Sequence, residues 1–229
     1  MAITTSQIEA ISFEPRRKTA AYHAPVANGD TRFRDLLSVD DWTALPCQVR
    51  SRFSTPVLAG QSVVFTGHIV RTKMSFLGKA LAQLLKFIGA PLPLDHNSDG
   101  SAAVVTVTNC PATGGQFWTR QYNRPRGFPQ IVRSIKSFTG PTGLEEVVGH
   151  FGMGLKLAVE NQTLLFISQT YFLKSFGKRL PVPRFLSPGK MIIGHEDQGA
   201  GRFHFTLKLT HPLFGTLIDQ CVAFQDCTR

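Results

Sequence analysis

From residue 100 onward the chain repeatedly alternates apolar and polar side chains with a period of two. The clearest stretch is Arg202 to Thr210. There Phe203, Phe205, Leu207 and Leu209 fall in one phase, and Arg202, His204, Thr206 and Lys208 in the other. Such a pattern belongs to a strand with two unlike faces. The same reading gives strands over 61–73, 102–109, 115–123, 129–138, 145–159, 163–174, 189–197 and 215–225. Turn residues separate them, among them Thr113-Gly114-Gly115, Gly140-Pro141, Glu160-Asn161-Gln162 and His211-Pro212. One long helix is expected, Phe76 to Ile88. It is capped by Ser75, striped by Leu77, Leu81, Leu84, Leu85 and Ile88, and stopped by Gly89 and Pro91. The fold class is therefore α+β, mainly antiparallel β, with about nine strands curled into a barrel or strongly bent sheet around one amphipathic helix. Strands do not alternate with helices, which excludes Rossmann and TIM architectures.

Residues 1–30 sustain no period and read as a flexible N-terminal tail, leaving 31–229 as a single barrel-like domain. Ser38 with Asp40 and Asp41 marks a short helix start, Leu45-Pro46 breaks it, and Cys47 to Phe53 adds another turn or two. At 229 residues and 42% hydrophobic the chain can bury a real core. No apolar run is long enough for a transmembrane helix, and the N-terminus lacks the basic and apolar regions of a signal peptide, so a cytoplasmic protein is expected. Four scattered cysteines without metal-ligand spacing read as reduced thiols. The net charge is +10, and its excess sits in residues 61–140, with 9 basic and 2 acidic side chains. That density fits an anionic partner. The absence of any RNA- or DNA-binding motif argues against nucleic acid.

Nucleotide-binding glycine loops, a Gly-x-Ser-x-Gly elbow and His-Glu-x-x-His are all missing. The chemistry must then come from polar residues set along strands. Trp118, Arg120 and Tyr122 share a face, so Arg120 can offer a fork to a carboxylate or phosphate beside two aromatic walls. Arg133 shares its face with Ile131 and Ile135, as a paired or ligand-facing charge would, while Ser134 and Lys136 lie opposite. Glu145 is its natural partner across the sheet. Glu145, Glu146 and His150 are of the right type for proton transfer. His195 shares a phase with Asp197 and with Met191 and Ile193, which suggests an inward carboxylate–histidine pair. Neither a metal ion nor any other cofactor is expected.

The string Phe138-Thr139-Gly140-Pro141-Thr142-Gly143-Leu144-Glu145-Glu146 is more specific. With Leu45-Pro46 to Phe53, Gly89 to Leu94, Gly114-Gly115 to Arg120, Leu180-Pro181-Val182-Pro183 and Gly194 to Pro212, it resembles a bacterial family known only as a domain of unknown function. Members of that family occur alone or C-terminal to saccharopine-dehydrogenase-like NAD-binding domains. The resemblance spans about residues 31–226 and brings no catalytic residues. It implies a role beside redox metabolism of a small or lipid-like molecule, here through a separate dehydrogenase, since no NAD-binding motif is present.

The expectation is a cofactor-free enzyme of isomerase, cyclase or lyase type, acting on a small, largely apolar, anionic molecule. Trp118, Arg120, Tyr122, Arg133 and Tyr171 would bind it, and Glu145, His150 and His195 would move protons. The alternative is a carrier of a lipid-like or polyketide-like ligand, in which the same polar residues only orient the cargo.

Overall fold

A computed structural model describes residues 29–87, 99–175 and 178–226. The tail up to residue 28, the expected helix stop at Gly89 and Pro91, and Cys227 lie outside the described residues.

Two short helices come first, α1 (Val39–Ala44), with the Ser38 side chain accepting from the Asp41 amide, and α2 (Cys47–Ser54) after the Leu45-Pro46 break. Strand β1 (Ser62–Met74) and helix α3 (Phe76–Phe87) follow. The remainder is β: β2 (Ala102–Cys110), β3 (Gly115–Tyr122), β4 (Gln130–Ser137), β5 (Leu144–Val148), β6 (Phe151–Glu160), β7 (Thr163–Ser175), β8 (Lys178–Pro181), β9 (Lys190–Gly199), β10 (Arg202–His211) and β11 (Gly215–Asp226). β1 pairs with both β2 and β11, and β7 with both β6 and β9, all antiparallel. The ring therefore closes as a 10-strand barrel, β1-β2-β3-β4-β5-β6-β7-β9-β10-β11, and β8 is a spur on β7. Closure removes the open edges that a sheet of this size would otherwise present.

Two expectations are corrected in detail. The run 145–159 is two strands, because Gly149 takes φ 57 and turns the chain at Gly149-His150. Helix α3 buries Gly78, Ala82 and Leu85, whereas Leu77 and Leu84 of the expected stripe are exposed. The reason is close approach: a Cβ at Gly78 would overlap the Leu217 carbonyl oxygen on β11, so small residues set the contact.

Apolar residues inside the barrel are joined at one end by the N-terminal segment. Phe33, Trp42, Leu45, Val49 and Phe53 pack with Leu144, Leu155, Leu164 and Phe166 in one cluster, so that α1 and α2 plug that end. α3 contacts β11 and β1 at the opposite end, where Met74 pairs with Ile218.

Candidate functional site: an ion triad in an apolar barrel

Period two on β3 turns Trp118, Arg120 and Tyr122 into one cavity inside the barrel. Val132 and Lys136 enter the same cavity from β4, Glu146 and Val148 from β5, Phe151 and Met153 from β6, and Phe166 and Tyr171 from β7. Most of the remaining wall is aliphatic or aromatic, including Met191, Ile193, Leu207, Val222 and Phe224.

Three charges meet in this apolar setting. Lys136 and Glu146 are direct cross-strand partners, and the Lys136 Nζ donates to Glu146 Oε2 at 2.6 Å. Arg120 donates to Glu146 Oε1 at 2.8 Å and to Ser134 Oγ at 2.9 Å. The Ser134 hydroxyl in turn donates to Glu146 Oε1 at 2.6 Å. Lys136 also lies over the Trp118 ring, 4.5 Å from its centroid. Both carboxylate oxygens thus have partners, and two cations face one anion.

Burial works against ionising Glu146, but Lys136 and Arg120 outweigh it and hold its carboxyl far below the usual carboxylate range. Burial pulls the Lys136 ammonium down to about 8; the Arg120 charge adds to that and Glu146 resists it. At neutral pH the cavity therefore carries one net positive charge. Burial raises the phenols of Tyr122 and Tyr171, which stay neutral; Tyr171 donates to the Gly189 carbonyl at 2.8 Å.

A second chamber lies towards the plugged end, and Trp118 and Phe205, 6.1 Å apart edge to face, line both. Arg52 of α2 reaches into its mouth, donating to Asp226 at 2.8 Å and to Asp197 at 3.2 Å and lying over the Phe203 ring at 4.4 Å. His195, 2% exposed, is packed against Phe53, Phe203 and Phe205, with its Nε2 3.4 Å from Arg52. Burial, helped by the Arg52 charge, pulls the imidazole down to about 3, so it is neutral.

The sequence-derived residues divide accordingly. Trp118, Arg120, Tyr122 and Tyr171 line one cavity. Arg133 is exposed on the outer face of β4 with Ile131, so the face assigned to it from its apolar neighbours is the outside of the barrel. Nor does it pair with Glu145, which is buried against the outer wall and meets Arg179 of β8 at 2.6 Å. His150 is exposed in the turn before β6, with its Nδ1 3.2 Å from the Lys174 carbonyl oxygen. His195 is inward, but its neighbour is Arg52, which takes Asp197 for itself, and the expected histidine–aspartate pair is not formed. Glu146, named beside Glu145 as a proton-transfer type, is the one of the two that faces the cavity, and the residues given no role from sequence are Lys136 and Arg52. For Lys136 the signal was phase: Val132, Ser134 and Lys136 alternate with Ile131, Arg133 and Ile135, and either set can be the inner one.

Among the described residues no group of three or more His, Cys, Asp and Glu side chains is placed to hold a metal ion, and no helix is long and apolar enough to cross a membrane. Fold and interior together define a closed antiparallel β-barrel with an ionised core cavity. The chain belongs to the family described as Domain of unknown function (DUF4166), whose model matches residues 45–223. No curated protein and no solved structure matches it at a significant level.

Proposed function

We propose that the barrel takes up a small, largely apolar molecule bearing one anionic group, and holds it with that group against Arg120 and Lys136. The observation that carries this reading is the net positive triad inside an otherwise apolar cavity. A buried ion cluster costs desolvation that a packed apolar core would not, so a surplus cation there calls for a counter-charge. Trp118, Tyr122 and the aliphatic wall supply the apolar contact that such pockets use for affinity, while the few fixed charges set orientation.

A second reading adds turnover, as a cofactor-free isomerase, cyclase or lyase. What favours it is Lys136, whose ammonium near 8 can give and regain a proton close to neutral pH. On this reading Lys136 replaces Glu145 and His150 as the proton carrier, since neither faces the cavity.

The test uses a Trp42→Phe background, in which Trp118 is the remaining tryptophan, with octanoate and octanol as probes. Octanoate is expected to shift Trp118 emission with at least about tenfold higher affinity than octanol, and Arg120→Gln to erase the preference. Equal affinity for acid and alcohol would defeat the proposal. Native mass spectrometry of protein from its own host then separates the two readings: cargo recovered unchanged supports a carrier, cargo converted on incubation an enzyme.

A further inference from the structure

The two ends of the barrel differ in charge and in apolar exposure. At the plugged end, residues 29–61 hold four Asp and four Arg. At the other end large apolar side chains face water, among them Phe128, which is 91% exposed, Phe76 84%, Phe185 83%, Leu213 81%, Leu186 65%, Leu84 63% and Phe214 56%. Register gathers their segments on one rim. Leu209 pairs with both Met191 and Ile218, His211 with Gly215, and Met74 with Ile218, so α3, the 211–214 turn and the loop before β9 leave the barrel together. The Tyr171–Gly189 hydrogen bond ties that loop to the same end. The cavity reaches this rim, for Leu85 of α3 and Pro188 line it.

The charge here is one-sided. Across 73–79, 99–101, 123–129, 149–150, 174–175, 178–190 and 211–214, the described residues include nine Lys and Arg, of which Arg179 is paired with Glu145, but a single acidic side chain, Asp99. Exposed apolar groups ringed by cations are the chemistry of a surface that seats at the boundary between anionic headgroups and acyl chains. A nucleic acid would use the cations and leave Phe76, Phe185 and Leu213 without a role. The geometry points to this rim as a docking surface for an anionic lipid bilayer, with the cavity mouth turned towards the lipid. The docking does not depend on what the cavity holds.

Co-sedimentation of the full chain with vesicles tests it. Phosphatidylcholine vesicles containing about a quarter phosphatidylglycerol are expected to bind the protein at least about tenfold better than phosphatidylcholine alone, with the gain lost in about 0.5 M salt. The pair Phe185→Ser and Leu213→Ser leaves the charge unchanged and should still cut binding about tenfold. Lys178→Glu with Arg184→Glu should abolish the lipid preference. Absence of binding, equal binding to both vesicles, or binding indifferent to the serine pair would overturn the docking. So would self-association without vesicles that the serine pair removes, because the rim would then be an interface between copies. Octanoate binding in vesicle-free buffer is read on the same variants. It should stay intact in them, so failure of docking and failure of the cavity reading are seen separately.

Discussion

At Lys136 two opposing influences set the charge of the barrel interior: burial strips the proton and Glu146 holds it. The outcome, an ammonium near 8 against an ordinary 10.5, has two consequences of opposite sign. Between about pH 8 and 10.5 the unfolded chain keeps a proton that the native state gives up, so native stability rises with pH, by at most about 1.4 kcal/mol per unit. Anion affinity moves the other way, because the cavity loses its surplus positive charge as Lys136 deprotonates. Octanoate affinity should fall by up to tenfold per pH unit above about 8, and Lys136→Met should abolish both trends; an affinity flat to pH 10 would remove Lys136 from the anion site. Glu146→Gln leaves two buried cations facing each other and should cost about 3–5 kcal/mol in chemical denaturation. Replacing the whole set (Arg120→Met, Lys136→Met, Glu146→Leu, Ser134→Ala) should instead leave stability equal or higher, and abolish discrimination between carboxylate and alcohol. Together the two results would separate charges kept for a ligand from charges kept for the fold.

At the scale of elements, α2 packs Val49 and Phe53 into the core, and one polar side chain ties it to the barrel rim. Arg52 spans Asp226 on β11, Asp197 on β9 and the Phe203 face, and it is the donor nearest His195. Arg52→Leu should destabilise the protein by about 2–4 kcal/mol, since Asp197 is left nearly buried without a counter-charge. It should also let the imidazole titrate closer to its ordinary 6.5. His195 sets the upper part of the acid limb, above the range in which Glu146 takes a proton on unfolding. Its folded value is depressed to about 3, so from pH 6.5 downward the unfolded chain takes a proton that the native state refuses, and stability falls with falling pH. His195→Gln should flatten the slope of stability between pH 6 and 4, while a slope unchanged in that variant would place the acid sensitivity elsewhere. These elements also show what the sequence could disclose. Strand positions were legible because period two survives in β1 and β10 and turn residues separate the other runs, and the Ser38 cap and Leu45-Pro46 break located α1 and α2. The turn at Gly149-His150 was hidden inside a continuous apolar and glycine run. β8, Lys178–Pro181, has every residue exposed and so has no period to detect. The inner face of β4 could not be chosen by hydrophobicity, because the barrel puts Lys136 inside and Ile131 outside. Pairing across the sheet, which a single strand's pattern does not contain, decided between Glu145 and Glu146.

For the whole molecule, closure is the dominant fact, and it is made by residues far apart in the chain. β1 at Ser62–Met74 meets β11 at Gly215–Asp226, and β7 meets β9 across the intervening β8. Each such contact carries a loop-closure cost before the ring returns any burial, so the barrel is expected to form late and cooperatively. The eleven strands are therefore not equivalent. β8 pairs only with β7 over four residues and carries no buried side chain, so replacing Lys178, Leu180 and Pro181 with Gly and Ser, with Arg179 kept for its contact with the buried Glu145, should lower the melting temperature by only a few degrees. β11 is the ring's closing strand and supplies Ile218, Val222 and Phe224 to the interior. Removing it exposes the β1 and β10 edges together with the core face behind them. A chain ending at residue 214 should accordingly lose cooperative unfolding and aggregate, as seen by scanning calorimetry and light scattering. Retention of a sharp transition in that truncation would mean that the sheet is stable without being closed, and the cavity would then have to owe its shape to the plug formed by α1 and α2.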